Sequence, residues 1–227
     1  MDLLTTNEVA KVLGMAPAAV RRLASSGRLP SAKIGASLAF EPAGVYRMQR
    51  EDRKIGRVWS AATAWAAIEM LSGMRTEIID QPRRSRLAAK IQALDAAEFH
   101  RLARQRSAVR RFHASPRAST RLAGLIEPSG VMAVAAASRA ARFGLAGVRS
   151  ESRIEGYWTG RLEDLLSTVP LRPDAGGNVV IRLAEEAHMK RAIGTDVLVA
   201  LDLMDSDDVR ERGAGRNVLE EYLHHVH

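Results

Sequence analysis

The feature that most limits how this chain can fold lies near its start, in residues 5–30, TTNEVAKVLGMAPAAVRRLASSGRLP. Two short runs with helical spacing are separated there by a glycine and a proline. Thr5 and Glu8 have the spacing of a capping box, in which the hydroxyl accepts from a backbone N–H and the carboxylate reaches back. The helix they open carries Val9, Ala10, Val12 and Leu13 and stops at Gly14, a residue free to take left-handed backbone. Pro17 opens a second helix, where its missing N–H is no loss. Val20 and Leu23 form the inward stripe of that helix, so Ala18, Ala19, Arg21 and Arg22 face elsewhere. Ser25-Ser26-Gly27 ends it.

Beyond it, Lys33-Ile34 and Leu38-Ala39-Phe40 flank Gly35-Ala36-Ser37, the spacing of a short hairpin with glycine in its loop. Pro42 and residues 45–49 predict one more short helix, and the charged stretch RMQREDRKIGR (47–57) follows. Residues 50–57 read as linker or helix extension, which puts the end of a first domain at residue 57.

Helix, glycine turn, helix and hairpin is the order of a winged helix-turn-helix. In such a unit the second helix can enter the major groove of a duplex. Ala18 and Ala19 are small enough to touch thymine methyls, and Arg21 or Arg22 can be bidentate to guanine, worth roughly 1–3 kcal/mol of discrimination. Arg28 and Lys33 suit phosphate contacts, which position a protein without specifying sequence. Ser37 sits at the tip of the wing. The competing reading is that both arginines only solvate a helix face.

The charge pattern bears on that choice. The 227 residues hold 34 Lys/Arg against 26 Asp/Glu, a net charge of +8. Residues 1–57 hold ten against five and residues 58–127 twelve against six, whereas residues 128–227 hold twelve against fifteen. A basic first half favours contact with a polyanion. Arg50, Arg53 and Lys54, with Arg83, Arg84 and Arg86, offer a second basic surface. Arg101, Arg104, Arg106, Arg110 and Arg111 extend it on what read as basic helices across 83–113, which either widen a DNA footprint, each phosphate neutralised adding about 0.9 to the logarithmic salt slope, or form a solvated helical face.

Residues 3–48, from LLTTNEVAKVLG to GVYRM, resemble the excisionase-family, MerR-like DNA-binding domain along their whole length. Leu4, Thr5, Glu8, Val9, Ala10, Leu13, Gly14, Val20, Arg22, Leu23, Gly27, Leu29, Pro30 and Gly35 fall in that family's frame. The resemblance implies a winged helix-turn-helix that binds double-stranded DNA. One departure stands out: such wings carry Arg or Lys at the tip, where this chain has Ala36-Ser37-Leu38. That shifts the expected grip to Arg21, Arg22 and the basic 50–57 stretch.

The remaining residues, 58–227, read as a larger, mostly helical domain with a small β element, making the whole chain mainly α. Ser60 caps a helix ending at Gly73, Pro82 precedes another, and Asp95 and Glu98 form a second capping box before AEFHRLARQRSAVRRF. Ser129-Gly130 precedes VMAVAAASRAARFGL, a small-residue helix. NVVIRL (178–183) reads as a strand, with GVRSESRIEGYW as a possible second, and two helices run about 195–205 and 208–223. Segments of 58–223 resemble the antitoxins of the abortive-infection type IV class. That resemblance implies autoregulation of the operon by the first domain and neutralisation of a nucleotidyltransferase-like toxin involving the second. The expected repressor binds inverted or direct repeats in its own promoter as more than one copy, such as a homodimer. A phage-type excisionase or stand-alone regulator, and an interaction adaptor that does not touch DNA, are the alternatives.

Catalytic groups are not apparent. The chain has no cysteine, which excludes disulfides, thiol catalysis and thiolate metal sites and fits a reducing compartment. His100 and His113 lack a partner at metal-site spacing, and DAGGN lacks the Lys-Ser/Thr of a P-loop. His224, His225 and His227 read as a frayed end. DLMDSDDVRERG reads as a capping turn, since it lacks the glycine and final glutamate of a calcium loop. Tyr157, Trp158 and Phe143 read as core. No signal peptide and no membrane span is visible. The expectation is a cytoplasmic, non-enzymatic protein without cofactor or metal.

Overall fold

The computed structural model describes residues 3–35, 37–51, 58–146 and 153–225. The described residues up to 51 form β1 (Leu4–Thr5), α1 (Thr6–Leu13), α2 (Pro17–Ser25), β2 (Ala32–Ile34), β3 (Ser37–Phe40) and α3 (Pro42–Glu51). The capping box is closed at both ends: Thr5 Oγ1 accepts from the Glu8 N–H at 3.4 Å, and the Thr5 N–H donates to Glu8 Oε2 at 2.7 Å. Gly14 ends α1 at φ 64°, and Pro17 occupies the first turn of α2. The hairpin forms with Ile34 opposite Ser37, and Leu4 and Thr5 add a third strand to it, giving the order β1-β3-β2. Val9, Ala10, Val20, Leu29, Phe40, Val45 and Met48 fill a core of their own beneath the three helices.

The C-terminal unit begins with α4 (Ala61–Leu71), α5 (Gln81–Ile91) and α6 (Ala96–Leu102), then a 3₁₀ turn at Ala103–Arg106. It continues through β4 (Ala108–His113), α7 (Pro116–Ala123), β5 (Glu127–Pro128), α8 (Gly130–Ala133), α9 (Ala137–Arg142) and β6 (Ile154–Trp158). The last elements are α10 (Leu162–Thr168), β7 (Arg172–Pro173), β8 (Val179–Leu183), α11 (Glu186–Met189), α12 (Asp196–Met204) and α13 (Val209–His224). Helices remain the commoner element, but the β component is larger than the sequence indicates. Five strands form one mixed sheet in the order β5-β6-β8-β4-β7, with β6 and β8 parallel.

Alternation along the strands builds layers on both faces of that sheet. Phe112, Val179 and Ile181 join Ala118 and Leu122 of α7 and Leu165 of α10 on one face. On the other, Glu155, Tyr157 and Arg182 turn toward α12, whose residues Val197–Met204 are all buried. A helix apolar on every side belongs in the middle of a fold.

Two expectations are corrected here. Residues 108–113 are strand, not helix: the helical period stops at Ser107, which is extended (φ −150°, ψ 157°), and five consecutive pairings with β8 hold the segment. The small-residue stretch after Ser129-Gly130 is two short helices. Val131 and Val134 reach the main core from one side of a bend and Phe143 and Leu145 from the other, while Ala135–Ser138 stay exposed and offer no face for a single helix to bury.

Between α12 and the sheet lies a buried ionic cluster. Asp202 Oδ1 accepts from Arg106 Nη2 at 2.8 Å and from the Tyr157 hydroxyl at 2.9 Å. Arg182 reaches Glu155 at 2.6 Å and Asp205 at 2.7 Å, and His100 Nε2 meets the second oxygen of Asp205 at 2.7 Å. Burial raises the Asp202 carboxyl against the pull of Arg182 and Arg106. Burial also works to raise Asp205, but Arg106 and Arg182 overcome it and hold that carboxyl well below the usual range. Arg106, Arg182, Glu155 and Asp202 are nearly free of solvent contact, and charges so placed persist only when paired with opposite charge.

Candidate nucleic-acid interface

α2 divides its residues as its spacing dictates. Val20 is wholly buried and Leu23 half-buried, whereas Ala18, Arg21 and Arg22 are exposed and Ala19 lies at the margin. Ala16, at the helix's N-cap, makes no side-chain hydrogen bond, and the first turn carries no acidic residue. Nothing on the helix therefore offsets the positive end of its dipole. Gly27, at φ 70°, turns the chain out of α2 and delivers Leu29 to the core, leaving Arg28 exposed.

The hairpin follows α2 in the chain and packs β3 against α1. All three residues of β2 are exposed, including Lys33 and Ile34, and Ser37 is exposed on β3. Gly35 carries the turn at φ 61°. Ala36, at the tip, lies outside the described residues, as do Arg53 and Lys54; nothing is described of the Arg50 side chain. Among the described residues, Arg21, Arg22, Arg28 and Lys33 form no side-chain hydrogen bond and no ion pair. All four cations are thus exposed without internal counter-charges, Arg21 and Arg22 on α2, Arg28 just after it and Lys33 on β2.

The basic residues beyond this unit behave differently. Arg106 is buried in the ionic cluster, so it offers no surface charge. Arg84 is half-buried and donates to the carbonyls of Thr76 at 2.8 Å and Ile79 at 3.3 Å, bracing the approach to α5. Arg83 and Arg86 are exposed, Arg83 lying 3.5 Å from Asp80 and Arg86 bonding to the Pro82 carbonyl. Arg101 is half-buried and Arg104 exposed, in and just after α6. Arg110 and Arg111 lie on β4, where Arg110 is exposed and Arg111 half-buried, 4.0 Å from Asp207. The basic helices expected across 83–113 are therefore not one continuous cationic face.

Residues 3–52 match the family model described as a helix-turn-helix domain. The N-terminal unit is a helix-turn-helix. The helix-turn-helix match includes all of α3 and leaves the C-terminal unit uncovered. No curated protein and no solved structure matches the chain.

The sequence reading missed the charge cluster behind the sheet, although two signals marked it: an aspartate inside DVLVALDLM and an arginine inside VVIRL. A charge in the middle of an apolar run is either exposed by periodicity or paired. Asp208 does cap α13, accepting from the N–H groups of Arg210 and Glu211, while Asp202 and Asp205 of the same segment serve the cluster. Tyr157 and Phe143 are buried and Trp158 half-buried. His224 and His225 are exposed at the end of α13; His227 lies outside the described residues. Among the described residues no group of His, Asp and Glu could hold a metal ion, and no helix is long and apolar enough to cross a membrane.

Proposed function

We propose that this chain is a sequence-specific, double-stranded-DNA-binding transcriptional regulator made of two domains, 1–57 and 58–227, and that α2 is its major-groove helix. The observation that carries the reading is the contrast between the two sets of arginines. In the core of the C-terminal unit, Arg106 and Arg182 are closed into ion pairs, while Arg21, Arg22 and Arg28 stand open around the helix-turn-helix. Exposed, unneutralised guanidiniums on a groove-sized helix are what phosphate neutralisation and guanine readout require. In this reading Ala18 and Ala19 allow close approach, Arg21 and Arg22 read base edges, and Arg28, Lys33 and Ser37 hold the backbone. A gel shift on the intergenic DNA upstream of the gene tests it: a salt-sensitive shift is expected, and a chain that shifts no duplex at low salt refutes it.

An antitoxin role for residues 58–227, opposed to a nucleotidyltransferase-like toxin, is the more specific reading that the resemblance of 58–223 supports. A nucleotidyltransferase gene adjoining this one, whose product is toxic alone and harmless when the two are co-expressed, is the result it requires.

A further inference from the structure

Four consecutive residues in the turn between α12 and α13 each hold a different part of the molecule. Asp205 closes the buried cluster through Arg106, Arg182 and His100. The Ser206 hydroxyl donates to Glu211, itself paired with Arg153. Asp208 caps α13, accepting from Arg210 at 2.7 Å and Glu211 at 3.0 Å. Asp207 accepts a hydrogen bond from Arg47, which lies on α3 of the helix-turn-helix. The same guanidinium donates to the Ala175 carbonyl, beyond β7, at 3.1 Å. Arg47 thus leaves its own unit and is only 13% exposed where it lands.

Arg111 of β4 approaches the same carboxylate at 4.0 Å. Two guanidiniums from different units therefore converge on one acid, and without it they would face each other. Burial and the nearby Arg47 both pull the Arg111 guanidinium below its ordinary pKa, with Asp207 opposing. We infer that Asp207 is the counter-charge that latches the helix-turn-helix to the C-terminal unit and so sets the bearing of α2 relative to that unit. The latch also ties the DNA-facing helix to the turn that closes the ionic cluster. That consequence rests on the proposed DNA-binding function, whereas the latch itself does not.

The two partners are not equivalent. Removing Arg47 leaves Asp207 paired with Arg111, but removing the Asp207 charge leaves two like charges in a half-buried site, a situation that is strongly unfavourable. The absence of cysteine makes the test direct: Lys11→Cys and Glu163→Cys, both at exposed positions, place one spin label on each unit. The distance distribution between them, measured without DNA by double electron–electron resonance, is expected to broaden or shift in Asp207→Asn and to a smaller degree in Arg47→Met. Adding Arg111→Gln to Asp207→Asn removes the repulsion and is expected to narrow the distribution again. An Asp207→Asn distribution identical to that of the parent overturns the latch. Should Asp207→Asn fail to melt cooperatively, Arg47→Met decides, and an unchanged distribution there overturns it equally. Because no duplex is present, failure of the DNA-binding reading leaves this result untouched.

Discussion

Arg182 and Glu155 stand on the adjacent parallel strands β8 and β6 and meet at 2.6 Å, with 2% and 4% of their side chains exposed. Arg182 also contacts Asp205, so one guanidinium serves carboxylates from the sheet and from the end of α12. Replacing it leaves buried Glu155 with only Arg153 at 3.5 Å and leaves Arg106 to serve both Asp202 and Asp205. Arg182→Met is expected to lower unfolding stability by about 3–5 kcal/mol, as removal of one partner of a buried pair does. Adding Glu155→Gln is expected to recover part of that loss, because the double variant buries one charge fewer. Urea unfolding checks both, and additive losses would show that the two residues do not act as a pair.

Acid should weaken the fold through Asp205. Its folded pKa lies below that of an unfolded aspartate because Arg106 and Arg182 prevail over burial. A group so depressed contributes stability that is present above the unfolded pKa of about 3.9 and is lost as pH falls through the folded value. Asp202 acts in the opposite sense: burial raises its carboxyl, so it contributes below the unfolded pKa and loses that contribution as pH rises through the folded value. Stability curves from pH 7 downward are expected to flatten on their acid side in Asp205→Asn and to steepen in Asp202→Asn. Parallel curves for the two variants would contradict these assignments.

Two glycines of α13 should respond in opposite directions. Gly213 is exposed, with nothing within 4 Å of the position a β-carbon would take, while a β-carbon at Gly215 would lie 2.4 Å from the Ala200 carbonyl oxygen of α12. Gly213→Ala is expected to stabilise by roughly 0.5–1 kcal/mol through helix propensity. Gly215→Ala must push α12 and α13 apart and is expected to destabilise by about 1–3 kcal/mol. Thermal melts of the two variants moving in the same direction would contradict the close helix approach.

What could be read from the sequence was local. Thr5, Glu8, Gly14 and Pro17 define the ends of α1 and α2 through caps and backbone limits within a few residues, so the helix-turn-helix was legible before any contact was known. Asp95 with Glu98, Ser60 and Gly73 did the same for α4 and α6. What could not be read depends on distant partners. β1 is two residues long and becomes a strand because β3 lies beside it. Residues 108–113 carry a helical pattern forward from α6 until pairing with β8, about seventy residues away, overrides it. Arg106 looked like one more surface charge because its carboxylate partners, Asp202 and Asp205, come from a helix near the other end of the chain. At the candidate site Ala18, Arg21 and Arg22 of α2 face outward as the spacing indicates, since a helix face follows from spacing alone, whereas the half-burial of Arg84 depends on the Gln81 side chain and on the carbonyls of Thr76 and Ile79, which charge counting does not register.

The orientation of α2 is the point on which the functional account depends, and competitive fluorescence anisotropy tests it most directly. A duplex is first selected from a random pool by the intact protein, then compared with an unselected duplex over a series of salt concentrations. Arg21→Ala and Arg22→Ala are expected to weaken binding to the selected duplex by roughly 1–3 kcal/mol more than to the unselected one. Lys33→Ala is expected to weaken both alike and to reduce the logarithmic salt slope by about 0.9. Equal losses on both duplexes for all three variants, or binding that does not depend on Arg21 and Arg22 at all, would contradict a major-groove role for this helix.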